Sequence, residues 1–124
     1  MDRQEREKRR LEQRRRRKWE EFGRDILERV AEGLDYWCHN VSSDPLLECY
    51  QAHQGMSLYE LAELFSDWSI TGIGKKDLEM LEKMPEDIYE KFNKEIQRRI
   101  DRVVKQLEKE RKKMEKELGE KFTW

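Results

Sequence analysis

Between Trp19 and Trp37 the apolar side chains fall at steps of three and four: Trp19, Phe22, Ile26, Val30, Leu34, Trp37. With about 3.6 residues per turn, that spacing is one face of a helix. The same steps return over Leu58, Leu61, Ala62, Leu64, Phe65 and Trp68, and again over Ile88, Phe92, Ile96, Ile100, Val103, Leu107, Met114 and Leu118. Strand-type alternation is scarce. The expected fold class is therefore all-α. Charged residues make up 44% of the 124-residue chain against 35% apolar, which suits long solvated helices around one modest core.

Local signals divide the chain. Residues 2–40 read as one long helix or two joined ones, with Gly23 and Gly33 marking bends at up to about 1 kcal/mol each. A turn over 39–43 leads to Asp44-Pro45, a cap followed by proline at the first helical position. That short helix carries Leu46, Leu47, Cys49 and Tyr50 and should end at Gly55. Ser57 with Glu60 makes a capping box, and Met56 facing Leu61 a staple, so 57–68 is the expected centre of the core. A glycine-punctuated connection over 69–74 precedes a short helix with Leu78 and Leu81. Pro85-Glu86-Asp87 then starts the last helix, which can run ~50 Å to Leu118, with Gly119 as its stop. The organisation expected is a basic helical arm over 1–18, a helical bundle with a long C-terminal helix over 19–118, and a tail over 119–124.

The net charge of −1 hides a split. Residues 1–18 hold ten Lys/Arg and four Asp/Glu, a net of +6; the other 17 basic and 24 acidic residues carry −7. In that arm Leu11 is the sole apolar residue before Trp19 and the initial Met, so the arm cannot bury itself in its own domain. Arg3, Arg6, Arg10, Arg14 and Arg17 share one stripe, roughly opposite the apolar one. Asp2, Glu5 and Glu12 lie on the far side, with Glu5–Arg9 and Glu12–Arg16 pairs expected. A guanidinium grips phosphate oxygens in bidentate fashion. The expected nucleic-acid contacts are Arg3, Arg6, Arg9, Arg10, Arg14, Arg15, Arg16, Arg17 and Lys18, made to the backbone of double-stranded DNA and indifferent to its sequence. Charged helices of this kind also serve as solvated arms or coiled-coil extensions, so a helical adaptor acting through protein contacts is the alternative.

The remaining signals are weaker than the arm. The stretch 57–81 resembles a helix-turn-helix with Ala62 at the small-residue position, but Gly72 and Gly74 fall where the recognition helix should be, and core packing is the better reading. Cys49 and His53 share a helical face, yet Cys38 and His39 are adjacent and diverge, and the spacing matches no common zinc pattern. A Cys38–Cys49 disulfide or a buried thiol is expected, with no metal and no cofactor. The acids sit on polar faces and no phosphate loop appears, so no catalytic residue and no enzymatic activity is expected. Trp19, Met114, Leu118, Phe122 and Trp124 are the expected contacts to like subunits or another protein. No apolar run is long enough to span a membrane, and no signal peptide opens the chain.

The basic helical arm from Arg3 to Lys18, followed by compact helices from Trp19 onward, resembles the major capsid proteins of filamentous and rod-shaped archaeal viruses. That resemblance is architectural, spans most of the chain and rests on no diagnostic motif. It implies arms that wrap an A-like duplex, bundles packed outside, self-assembly into a filament, and a place in the virion; otherwise an intracellular location is expected. The wealth of Glu, Lys and Arg suits a heat-adapted source, whereas Asp2, Glu5, Glu7 and Glu12 are acids that a pure DNA wrapper does not need.

Overall fold

A computed structural model describes residues 2–42 and 45–122, the last three as backbone only. Five α-helices make up the fold: α1 (Arg3–Tyr36), α2 (Leu46–Ala52), α3 (Leu58–Phe65), α4 (Lys75–Lys83) and α5 (Glu86–Phe122), with a π-helical turn at Trp37–Val41 directly after α1. No strand occurs among the described residues. The helices reverse direction at each connection. Gln51 of α2 and Gln54 just after it meet Glu108 and Asp101 of α5 in descending order. On α3, the Leu58 N–H donates to Asn93 and Phe65 lies beside Gly33, so α3 climbs alongside α1. Four reversals leave α5 parallel to α1.

The α1–α5 pairing keeps one register. Arg16 meets Asp87 at 2.6 Å, Glu20 meets Lys91 at 3.8 Å, Arg24 meets Glu95 at 2.7 Å, and Glu28 meets Arg99 at 3.1 Å. Each pair is separated by 71 residues in sequence, and each step is one helical turn on both partners. The signs alternate along the ladder, so a slip by one turn sets like charges together. Exposed pairs contribute only about 0–1 kcal/mol each, so their weight falls on register more than on stability. The Arg16 and Arg24 hydrogen bonds hold the Asp87 and Glu95 carboxyls below their ordinary values.

Beneath the ladder lies the core. Ile26, Leu27, Val30 and Leu34 of α1 bury against Leu58, Leu61 and Phe65 of α3 and Ile88, Phe92, Ile96 and Ile100 of α5. α1 is unbroken at Gly23 and Gly33. At Gly23 an added Cβ would overlap the Phe92 ring, and at Gly33 it would lie 2.7 Å from Thr71 Cγ2 and 3.3 Å from the Phe65 ring. These glycines admit neighbours close to the helix; α1 runs through both. Tyr50 is buried and its hydroxyl donates to Asp35 at 2.7 Å; burial first, and then that bond, raises the hydroxyl above its ordinary value.

Other expectations are met or corrected nearby. Ser57 and Glu60 form the capping box on α3. Leu64, expected in the core, faces outward at 47% exposure, and on α5 Val104 is buried where Val103 is only half-buried. Pro45 precedes the first turn of α2 as its cap, while the Asp44 cap lies outside the described residues. Gly119 does not stop α5, which continues to Phe122. Among the described residues only Gly55 and Gly72 take positive φ, so Gly119 never adopts the left-handed cap, and an exposed helical glycine costs only about 1 kcal/mol.

Candidate nucleic-acid interface

The register determines what lies beside the basic arm. Asp87, on the first turn of α5, sits at the level of Arg16, so residues 3–15 have no turn of α5 beside them. At 1.5 Å per residue this overhang is ~20 Å long. Asp2 caps its start by accepting from the Glu5 N–H at 2.9 Å. All of residues 2–18 are exposed, and Leu11 is 48% exposed. The arm is thus helical without a protein surface over it among the described residues.

The expected site residues fall into two groups. Arg3, Arg6, Arg10, Arg14 and Arg17 occupy the ridge away from the apolar face of α1, and Arg9, Arg15 and Lys18 are exposed around it. Arg16 turns instead toward α5, where the hydrogen bond to Asp87 raises its pKa. Neither expected i, i+4 pair forms among the described residues: Glu12 loses Arg16 to Asp87, and Arg3 pairs with Glu7 at 3.4 Å while Glu5–Arg9 does not form. The expected partner contacts also divide. Trp19 is half-buried, edge-on to Phe22 at 6.0 Å, as part of the domain's own packing. Met114 and Leu118 are 62% and 47% exposed on the far overhang of α5. The Phe122 side chain and Trp124 lie outside the described residues.

One basic surface is not among the expected site residues. On α5, Lys91, Lys94, Arg98, Arg102, Lys105, Lys109, Lys112 and Lys116 recur at steps of three and four, and every one is exposed. They share a helical face within about 80° of arc. Arg24, two turns beyond Arg17 on α1, joins them: it lines a shallow depression of about 690 Å³ with Lys91, Arg98, Arg102 and Lys105, bordered by Glu95 and Asp101. Lys91 and Arg24 also sit over the Phe92 ring at 5.4 and 5.2 Å. Among the described residues none of Arg98, Arg102, Lys105, Lys109, Lys112 and Lys116 forms an ion pair. Counting charge on the polar face of α5 would have found this ridge; the interleaved Glu residues cancel it in the net charge.

The helix-turn-helix reading is corrected here. Nine residues, 66–74, separate α3 from α4, and Gly72 and Gly74 lie in that connection, not in the second helix. The segment is held inward: Thr71 is buried and donates to the Phe65 and Trp68 carbonyls, and Arg29 donates to the Gly72 carbonyl at 3.0 Å. A recognition helix needs a three- or four-residue turn and an open N-terminal face. This connection is more than twice that length, although Gly74, Lys75 and Lys76 at the start of α4 are exposed.

The two cysteines are joined as a Cys38–Cys49 disulfide with Cα atoms 5.5 Å apart. His39 points away from it toward the Tyr50 ring and is exposed, as adjacency to Cys38 implied. His53, by contrast, is buried beside the pair. No helix among the described residues is long and apolar enough to cross a membrane. No known protein family, curated protein or solved structure matches the chain.

Proposed function

We propose that this chain is a structural, non-catalytic protein that coats double-stranded DNA and packs against like subunits. The observation that carries the reading is the exposed arginine ridge on an overhang of α1, with no helix laid over it among the described residues, continued through Arg24 onto the lysine–arginine ridge of α5. A polyanion lying along the molecule meets guanidinium and ammonium groups over much of its length, and each phosphate neutralised releases condensed counterions. Such contacts hold the backbone and carry no base information. In this reading the chain works as the coat protein of a filamentous virion does, with the helical bodies packed outside the nucleic acid.

Retention of random-sequence duplex by the full chain, compared with a chain lacking residues 1–15, tests the proposal. The coat reading expects retention that fades with added salt and collapses on truncation, and electron microscopy of the same mixture to show filaments. Equal retention by the truncated chain removes the arm from the interface.

A second reading rests on the other overhang. Tyr36, where α1 ends, is level with Leu107, so the last turns of α5 project ~20 Å with Met114 and Leu118 open to solvent. A helical adaptor would dock a protein partner there. It expects no duplex retention and a defined complex whose assembly Met114→Glu abolishes.

A further inference from the structure

Apart from the basic surfaces, the Cys38–Cys49–His53 cluster is the densest group of potential ligands in the described fold. Cys38 lies in the π-helical turn, a local widening of the helix often found at functional sites, and Cys49 lies on α2 one turn before His53, the C-cap of that helix. All three are buried, and one ligand atom from each lies within 4.8 Å of the others. His53 Nδ1 sits 2.7 Å from the Cys49 carbonyl oxygen. A carbonyl only accepts, so Nδ1 donates, which leaves Nε2 as the ring nitrogen available to a metal. Metal-binding histidines are oriented in this way, one ring nitrogen donating to a carbonyl and the other ligating. The ring is also held against Phe65, nearly parallel at 20° with centroids 6.3 Å apart.

We propose that the reduced chain binds a zinc-class divalent cation through the Cys38 and Cys49 thiolates and His53 Nε2. Two thiolates neutralise the dication, and soft sulfur with imidazole selects zinc over the hard oxygen-seeking ions. Three protein ligands leave a fourth tetrahedral position. A cavity of about 280 Å³, lined by Trp37, Leu64, Phe65 and Trp68 beside Cys49 and His53, has room for a water or a small ligand there.

Metal and disulfide exclude one another. A small-molecule disulfide of the glutathione type supplies the oxidant. One cysteine thiolate attacks it, expelling one small thiolate and leaving a mixed disulfide; the second cysteine thiolate resolves that bond and expels the other. The oxidant's S–S bond breaks, the Cys38–Cys49 bond forms, its electron pair leaves on the two small thiolates, and the cation, deprived of both anionic ligands, is released. The site is thus a redox-controlled metal site, independent of the DNA-coating proposal.

The test titrates the full chain, reduced and freed of metal by a chelator, with Co(II) and then Zn(II). The expected result is one ion per chain, a sulfur-to-metal charge-transfer band with a tetrahedral d–d band, and loss of both when Zn(II) displaces Co(II). Cys38→Ser with Cys49→Ser abolishes the charge-transfer band, and glutathione disulfide releases the zinc. No charge-transfer band in the reduced chain, a band that survives the double substitution, or zinc retained after oxidation overturns the proposal. Should the double variant fail to fold, alkylation of the unsubstituted chain decides: zinc must protect both cysteines from iodoacetamide, and unprotected cysteines overturn the site.

Discussion

Phe92 packs so closely against Gly23 that the helix has no room for a Cβ there. That contact, with the four-rung ladder beside it, sets the depth and register at which α1 and α5 run together. Gly23→Ala should destabilise the fold despite the better helix propensity of alanine. Overpacking of this kind costs about 1–3 kcal/mol, against a propensity gain of up to about 1 kcal/mol. Gly119→Ala, where an added Cβ would meet no atom within 4 Å among the described residues, keeps the gain alone and should stabilise slightly. Urea unfolding of the two variants checks the opposite signs.

The ladder makes a pH prediction. Arg16 and Arg24 hold Asp87 and Glu95 below their ordinary values of 3.8 and 4.5. A carboxylate with a depressed folded value stabilises the fold above its unfolded value and loses that contribution as pH falls through the folded one. Stability should therefore start to drop as pH descends through the ordinary carboxylate range and continue below it. Asp87→Asn with Glu95→Gln should flatten that acid limb while costing stability at neutral pH. Unfolding curves collected across the acid range measure both.

Much of this architecture was legible in the sequence because helical periodicity and caps are local. The apolar stripes of α1 and α5, the Ser57–Glu60 box and the isolation of the arm follow from residues within a few positions of one another. What was illegible depends on distant pairs. Nothing near Gly23 or Gly33 announces Phe92 or Phe65, so the glycines read as bends. The offset of 71 between ladder partners cannot be seen from either helix alone. Convergence of Cys38 with His53 depends on the reversal between α1 and α2. The α5 ridge was legible in principle, but its Glu neighbours masked it in the overall charge.

Reducing the disulfide in the presence of a chelator should lower the unfolding free energy by about 2–3 kcal/mol. The bond closes a loop with a sequence separation of 11, and constraining a loop of that size in the unfolded chain contributes about that much. Thermal unfolding with and without reductant, in the same chelating buffer, measures the difference.

The claim that the arginine ridge meets phosphates is tested most directly by the salt dependence of binding to random-sequence duplex. On a log–log plot, five phosphate contacts from Arg3, Arg6, Arg10, Arg14 and Arg17 give a slope of about −4.5, and any contribution from the α5 ridge steepens it. Replacing those five by Gln should flatten the slope by about 4.5 while helicity is unchanged. A substituted chain that binds with the same slope as the original would contradict the account.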